Sequence, residues 1–469
     1  MADSLKNDAA AQLWETDRRH ALHPWTNFGS FEQKGALVIS RGEGCYLWDA
    51  NGARYLDAVG GLWCTNIGLG RQEMADAISQ QVMRLAYSNT MVDMTNDPAA
   101  QLAGKLAELA PGDLNRVHFT TGGSTAVDSA FRMVQYYQTA LGYPDKIHVI
   151  ARDYSYHGST YASQSVGKRP GDRIDEFRYL SDTIHHISPP NCYRRPEGAP
   201  LGDEAAFCDW LVAEFEAKIA EIGPDRVGGF FAEPIQASGG VIMPPKGYLH
   251  RMWQVCQRHG ILFIADEVVT AFGRLGHWFS AADVFDVQPD MICTAKGLSS
   301  GYVPIGAVIF SDRIWDAMAA DGSRWFTSGF TYAGHPVACA AALKNIEIME
   351  REDLNARARD VGAYFEQSLS QLEALPLVGQ VRGMKLMMCV ENVADKATGR
   401  MLPEGLDVGK RISDISESLG LMVRPLGHLN VMSPPLTISR DQIDFVTETL
   451  ERAIRRVTDD LTREHVRLG

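Results

Sequence analysis

Two apolar runs, each followed by a charged residue, constrain the fold of this 469-residue chain more than any other feature. The first run, residues 261–265, is followed by Asp266, and the second, residues 291–295, is followed by Lys296. Short continuous apolar runs are typical of buried parallel strands. Because ligands bind at the carboxyl ends of the strands in open parallel sheets, Asp266 and Lys296 are predicted to face one ligand site.

An acid and an amine at neighbouring strand ends suit pyridoxal phosphate (PLP). Its aldehyde needs a lysine for a Schiff base, and its ring nitrogen needs a carboxylate to hold its proton. The ordinary alternative for Lys296 is a solvated amine at a strand end. That alternative is disfavoured because glycine, serine and proline crowd the turn after Lys296, between two apolar strands. The sequence therefore predicts an enzyme of amine chemistry.

Helical patterns alternate with short apolar strands from residue 71 to about residue 340. This alternation predicts a mostly parallel sheet with helices on both faces. The predicted strands are 117–120, 147–150, 229–233, 261–265, 291–294 and 305–310.

Three segments follow from the wider pattern. Residues 1–70 are predicted to form an N-terminal arm, helical to about residue 35, and part of a small domain; turn residues 49–52 predict an antiparallel meander there. Residues 71–340 form the predicted large, PLP-binding domain. Residues 341–469 form the predicted C-terminal small domain. The expected elements at and beyond that boundary are a helix over 338–350, strands over 385–390 and 420–424, and a final amphipathic helix.

Composition excludes several classes of protein. The net charge is −13, which argues against a general affinity for nucleic acid or an anionic membrane. The eight cysteines are scattered, with no Cys-x-x-Cys pair and no Cys/His spacing of a metal site. That usage predicts a reduced, cytoplasmic protein. We expect no signal peptide and no membrane span, since no apolar run approaches the roughly 18 residues that a span requires.

Other strand ends carry candidate binding groups. Gly123 and Ser124 lie where a strand turns into a helix, and such a helix N-terminus favours a phosphate; the alternative is an ordinary glycine turn with a capping hydroxyl. The ring of Tyr156 could stack on a pyridine ring, or belong to a plain loop. Glu233 could orient polar groups or balance an arginine, or cap a helix.

In this order, these segments resemble the class III PLP-dependent aminotransferases, over nearly the whole chain. The strongest resemblance lies in residues 263–276 and 289–307, and shorter motifs at 123–124, 156–158, 233–234 and 330–336 strengthen it. The resemblance implies the type I PLP fold. That α/β fold has a large domain, with a mostly parallel seven-stranded sheet flanked by helices, and a smaller α+β domain. It also implies a homodimer with active sites at its interface.

The resemblance also implies roles for individual residues. Lys296 would carry the cofactor as an aldimine, and Asp266 would pair with the pyridine nitrogen. Thr331 would reach the phosphate of the partner subunit. The implied cofactor-binding residues are Gly123, Ser124, Tyr156, His157, Glu233, Asp266, Val268, Lys296 and Thr331. The implied substrate-binding residues are Trp25, Leu62, Trp63, Tyr156 and Arg424.

Two departures from the family pattern bear on function. Val269 replaces a common glutamine, which resembles the ω-amine:pyruvate transaminase branch, and Thr125 replaces a common glutamate in the phosphate motif. Arg424 would clamp a keto-acid carboxylate and swing aside for an apolar amine; the alternative is a surface ion pair. The predicted reaction moves an amino group from an amine or ω-amino acid to a keto acid, most simply pyruvate, by a ping-pong mechanism.

Two other functions stay open from the sequence. Decarboxylation, racemisation or an intramolecular amino shift would use the same fold and cofactor. A PLP-fold binding module without catalysis is a further alternative, which no basic arm or appended domain supports.

Overall fold

The computed structural model of this chain describes residues 8–469. Its strands, in chain order, are β1 (Ile39–Glu43), β2 (Tyr46–Asp49), β3 (Arg54–Asp57), β4 (Leu114–Thr120), β5 (His148–Arg152), β6 (Ile184–Ile187), β7 (Val227–Ala232), β8 (Leu262–Asp266), β9 (Met291–Thr294), β10 (Gly306–Ser311), β11 (Val378–Met384), β12 (Met387–Asn392), β13 (Leu421–Met422), β14 (Arg424–Leu426) and β15 (Leu429–Met432).

The helices flank these strands. They are α1 (Asp8–His20), α2 (Phe28–Lys34), α3 (Gly60–Trp63), α4 (Gln72–Arg84), α5 (Asp97–Leu109), α6 (Gly123–Ala140), α7 (Tyr161–Val166), α8 (Glu204–Ile222), α9 (Tyr248–His259), α10 (Ser280–Asp283), α11 (Asp312–Ala319), α12 (Pro336–Arg351), α13 (Leu354–Ser370), α14 (Val408–Ser418) and α15 (Arg440–Arg463). Short 3₁₀ helices span Lys296–Leu298, Gln371–Ala374 and Glu404–Leu406.

A seven-stranded sheet forms the centre of the molecule, in the order β4-β10-β9-β8-β7-β5-β6. Strand β10 runs antiparallel to β4 and β9, and the other neighbours are parallel. Every residue of β7, β8, β9 and β10 is buried, as strands covered by helices on both faces require. The mostly parallel α/β sheet predicted from the sequence is confirmed.

The predicted strands of this sheet agree closely with the observed ones. The predicted strand 291–294 matches β9, and the other five predicted strands each overlap an observed strand. Strand β6 was not predicted, because its four residues, Ile-His-His-Ile, carry two histidines between the buried ends.

The N-terminal meander joins the C-terminal part of the chain. Strands β1, β2 and β3 pair antiparallel, as predicted, and β13 adds in parallel beside β3. The prediction of one strand over 420–424 is wrong, because β13 and β14 belong to different sheets. Strand β14 contains Pro425 and lies at the edge of the sheet β11-β12-β15-β14, where a residue without an N–H is tolerated.

The remaining predicted elements are present with shifted ends. The predicted helix 338–350 lies within α12, and the final amphipathic helix is α15. The predicted strand 385–390 begins later, as β12, because Lys385 takes a left-handed turn conformation with φ 53°. Helices α1 and α2 form the described part of the predicted arm, and residues 1–7 lie outside the described residues. Across residues 8–469, no helix is both long and apolar enough to cross a bilayer.

Candidate active site

A cavity lies at the carboxyl ends of the parallel strands, where the segments after β4, β5, β7, β8 and β9 meet. Most of the residues predicted to bind the cofactor line it. The lining residues are Gly123, Ser124, Tyr156, His157, Gly158, Glu233, Ile235, Ser238, Asp266, Val268, Val269, Thr270 and Lys296.

Asp266 is the last residue of β8 and is 4% exposed. Its Oδ2 atom lies 2.6 Å from Nδ1 of His157, and its Oδ1 atom accepts a hydrogen bond of 3.1 Å from the Val268 N–H. Both carboxylate oxygens are therefore held in place. The motif Tyr-His-Gly indicated a role for His157, but the sequence did not indicate that its partner is Asp266.

Lys296 follows β9 and begins a short 3₁₀ helix. Its backbone has φ 41°, in the left-handed region that residues other than glycine adopt at an energetic cost, often at functional sites. Its Nζ atom lies 5.9 Å from the centre of the Trp63 ring. Burial lowers the pKa of the Lys296 amine, and the nearby Asp266 carboxylate opposes that shift. A lowered pKa favours the neutral amine, which is the nucleophilic form.

The N-terminus of α6 forms one end of the cavity. A Cβ atom on Gly123 would come within 2.9 Å of the Val268 side chain, so glycine permits a close approach here. The Ser124 hydroxyl accepts a hydrogen bond of 3.0 Å from the Ser159 N–H rather than capping the helix. Thr125, at the departure from the family pattern, donates to the Gly122 carbonyl at 2.9 Å and stabilises the glycine turn.

Glu233 orients the loop that carries Tyr156. Its Oε1 atom accepts a hydrogen bond of 3.0 Å from the Tyr156 N–H, and its Oε2 atom accepts one of 2.9 Å from the Ala237 N–H. Burial raises the pKa of the Glu233 carboxyl, while His157 opposes that shift. Of the alternatives that the sequence left open, the observed contacts match the orienting role.

The residues predicted to bind substrate differ in how far they are buried around this cavity. Trp63 is buried, and the Trp25 ring lies 6.0 Å from the Tyr156 ring, whereas Leu62 and Trp25 are both 60% exposed. Arg424 begins β14 and is partly buried. Burial lowers the pKa of the Arg424 guanidinium, and a nearby cation, Arg169, adds to that shift.

Thr331 does not line the cavity of its own chain. It is exposed, and its carbonyl accepts a hydrogen bond of 2.9 Å from the Tyr87 hydroxyl. Within one chain, the structure therefore does not bring Thr331 to Gly123 and Ser124.

The sequence did not indicate two groups of residues beside the site. Asp57 accepts hydrogen bonds from the N–H groups of Val59, Gly60 and Gly61, at 2.9, 3.0 and 2.7 Å, just before Trp63. Arg169 and Asp172 pack beside Tyr156 and Trp25. The pair of glycines that follows β3 could have indicated the tight turn that Asp57 stabilises. Nothing in the sequence linked residues 169–172 with the arm.

The grouped side chains fit pyridoxal phosphate. The cavity brings together an amine, a carboxylate held by a histidine, an aromatic ring and a helix N-terminus with a serine hydroxyl. These are the groups needed by the aldehyde, the ring nitrogen, the ring face and the phosphate. Together with the sheet, they define a PLP-binding enzyme.

Comparison with known proteins identifies the family. The model of the family "Aminotransferase class-III" matches residues 30–454, and the chain belongs to this family. A putrescine–pyruvate aminotransferase of Pseudomonas aeruginosa is 38% identical over 445 residues, which cover 94% of this chain and 96% of that protein.

Solved structures agree with this identification. An (S)-enantioselective ω-transaminase from Thermomicrobium roseum has a TM-score of 0.92 and 40% identity, over 96% of this chain and 99% of that one. An ω-transaminase from Pseudomonas jessenii in complex with PMP has a TM-score of 0.92 and 35% identity, over 95% of this chain and 98% of that one. The predictions of the type I PLP fold, of PLP-dependent transamination and of resemblance to the ω-transaminase branch are confirmed.

Proposed function

We propose that this aminotransferase moves the amino group of an apolar amine or an ω-amino acid to pyruvate. The observation that carries the proposal is the Arg424 guanidinium, which has no hydrogen-bond or ion-pair partner among residues 8–469 and lies in the neighbourhood of Tyr156, a residue of the cavity wall. A partly buried guanidinium without a partner is costly, and a carboxylate completes it with charge-assisted hydrogen bonds. A keto acid supplies that carboxylate.

The same residue allows two kinds of substrate to share one cavity. When an apolar amine enters, the long side chain of Arg424 can turn toward solvent. Val269 supports an apolar lining, since it stands in the cavity wall where many family members have glutamine. Trp25, Leu62, Trp63 and Tyr156 would contact the apolar substituent.

Besides Lys296, groups from four segments would hold the cofactor. We assign Gly123 and Ser124 to its phosphate, Tyr156 and Val268 to the two faces of its ring, and Asp266 to its ring nitrogen. The exposed position of Thr331 supports its donation to the phosphate site of the partner subunit. When bound, pyridoxal phosphate supplies an electron sink through its protonated ring nitrogen.

Asp266, His157 and Lys296 have different roles in the proposed reaction. The carboxylate of Asp266 holds the proton on the ring nitrogen, and His157 keeps that carboxylate oriented through the 2.6 Å contact. Lys296 would hold the cofactor covalently through its Nζ atom. Once an amine has displaced that atom, it would be free to accept the proton from the substrate carbon that bears the nitrogen. The lowered pKa of Lys296 supports this role as a base.

We also propose a cytoplasmic homodimer with the three segments 1–70, 71–340 and 341–469. The pairing of β13 with β3 supports a small domain built from both ends of the chain. Exposed apolar residues near Thr331, including Tyr332 and Tyr87, support a second copy at this surface. The free cysteines support a reducing compartment.

The test is a donor screen with two acceptors. The PLP-loaded enzyme is incubated with 1-phenylethylamine, putrescine or β-alanine, and with pyruvate or 2-oxoglutarate, and all products are quantified by chromatography. We expect one alanine for each amine consumed, and a preference for pyruvate of at least about tenfold in kcat/KM, which corresponds to about 1.4 kcal/mol. Release of CO2 or racemisation without consumption of pyruvate would replace the proposal with one of the alternative reactions.

A further inference from the structure

One hydrogen bond connects the N-terminal arm with the surroundings of the active site. The indole N–H of Trp25 donates to Oδ1 of Asp172 at 3.0 Å, across 147 residues of sequence. Among the described residues, the other side-chain hydrogen bonds of residues 8–35 stay within that segment, such as Trp14 to the Lys34 carbonyl. Asp172 is therefore the point at which the side chains of the arm hydrogen-bond to the body.

Asp172 also holds a cation against the same ring. Its Oδ1 atom lies 2.5 Å from Arg169, and the two side chains are only 10% and 11% exposed. The Arg169 guanidinium lies 5.1 Å from the centre of the Tyr156 ring and 5.7 Å from that of the Trp25 ring. Trp25, Arg169 and Tyr156 thus lie together as one group, with the two rings tilted against each other, and one carboxylate oxygen contacts two of its members.

Packing alone does not account for the position of Trp25. The residue is 60% exposed, so it buries little apolar surface, and the hydrophobic effect stabilises its position only weakly. Its backbone has φ 54°, in the left-handed region that costs energy for a residue with a Cβ atom. Such a conformation persists only where specific contacts hold it, and the bond to Asp172 is the specific polar contact of this side chain.

We infer that Asp172 is a positioning residue that fixes Trp25 beside Tyr156, so that the arm forms one wall of the space for an aromatic amine. The inference rests on the proposed function, in which Tyr156 and Trp25 border the substrate. Asp172 itself contacts neither substrate nor cofactor; it acts through Trp25 and Arg169.

The first test measures the arm directly, by hydrogen exchange of the PLP-loaded enzyme followed by mass spectrometry. Asp172→Ala and Trp25→Phe each remove one partner of the hydrogen bond, and we expect amides in residues 21–35 to exchange at least about tenfold faster in both. Asp175→Ala is the matched control, because this exposed carboxylate lies in the same segment and its side chain makes no hydrogen bond among the described residues. Its exchange in residues 21–35 should equal that of the wild type.

The second test measures substrate selectivity in the same proteins. The ratio of kcat/KM for 1-phenylethylamine to that for propan-2-amine should fall roughly three- to tenfold in Asp172→Ala, as expected for loss of one aromatic contact. The fall should appear mainly in KM. Trp25→Phe should give a similar fall, and the double variant should be no worse than either single one, because both remove the same contact. Asp172→Asn, which keeps an acceptor oxygen, should stay within about twofold of the wild type.

Two results would overturn the inference. One is unchanged exchange in residues 21–35 together with an unchanged selectivity ratio in Asp172→Ala. The other is a double variant whose losses multiply, which would mean that Asp172 and Trp25 act independently. If Asp172→Ala does not fold, the exchange rates and the selectivity ratio of Trp25→Phe still test the inference, since this variant leaves the Asp172–Arg169 pair intact. Failure of the proposed function is recognised separately, as a wild-type enzyme that forms no alanine from either amine.

Discussion

The Nδ1 atom of His157 lies 2.6 Å from the Oδ2 atom of Asp266, and both side chains are buried. The two residues come from different strand ends, 109 positions apart in sequence. A hydrogen bond to a carboxylate in a buried site is stronger than one between neutral groups. The pair therefore sets the direction in which the Asp266 carboxylate faces the cavity.

Replacement of His157 should lower activity without removing the cofactor site. His157→Phe keeps a ring of similar size but removes the donor, so we expect kcat to fall on the order of 10- to 100-fold, from the loss of about 1.5–3 kcal/mol. His157→Gln, which keeps a donor, is the control and should retain more activity. Steady-state kinetics and the absorbance of bound cofactor measure both effects. Turnover by His157→Phe within about twofold of the wild type would show that Asp266 needs no such partner.

Replacement of Arg424 should separate the two half-reactions. Arg424→Ala should slow the half-reaction with pyruvate by about tenfold or more, because a charge-assisted contact of about 1.5–3 kcal/mol is lost. The half-reaction with 1-phenylethylamine should change little, since that amine has no carboxylate. Single-turnover spectroscopy measures each rate. Equal losses in both half-reactions would assign Arg424 a structural role instead.

Acid should destabilise the folded chain through His186. Burial lowers the pKa of His186 from 6.5 to about 4, and its Nε2 atom lies 2.9 Å from the Val166 carbonyl. Between these two pKa values the unfolded chain binds more protons than the folded chain, so the free energy of unfolding falls as pH falls. From pH 6.5 to 5.5, the contribution of His186 should fall by about 1 kcal/mol.

A matched pair of variants isolates that titration. His186→Gln keeps an N–H donor and removes the ionisable ring, so its free energy of unfolding should fall by about 1 kcal/mol less than that of the wild type over this range. His20→Gln, at an exposed position in α1, should behave as the wild type does. Urea unfolding at both pH values gives the comparison. Parallel losses in His186→Gln and the wild type would contradict the assigned shift.

The sequence predicted those features that follow from local pattern. Residues 291–294 form a strand because three apolar residues and a β-branched threonine lie between a turn and a polar loop, and this is where β9 is found. Parallel topology then places the ends of β8 and β9 side by side, so Asp266 and Lys296 could be paired before the structure was known.

The sequence could not predict features that depend on contacts between distant segments or on backbone strain. Lys296 and Trp63 both have positive φ values, of 41° and 65°, which no residue pattern announces. The bond between Trp25 and Asp172 joins an arm to a loop that carries no motif. Strands β13 and β14 follow each other in sequence but join different sheets. Which sheet edge each strand can join is determined by the assembled fold and not by local sequence.

The most direct measurement for the account as a whole is chemical fixation of the cofactor. The PLP-loaded enzyme is reduced with borohydride and digested, and the labelled peptide is sequenced by mass spectrometry. The account predicts one label per chain, on Lys296, and a Lys296→Ala variant that folds but neither becomes labelled nor transaminates without an added amine. A label on another lysine, or near-normal turnover by Lys296→Ala, would contradict the assignment of this site.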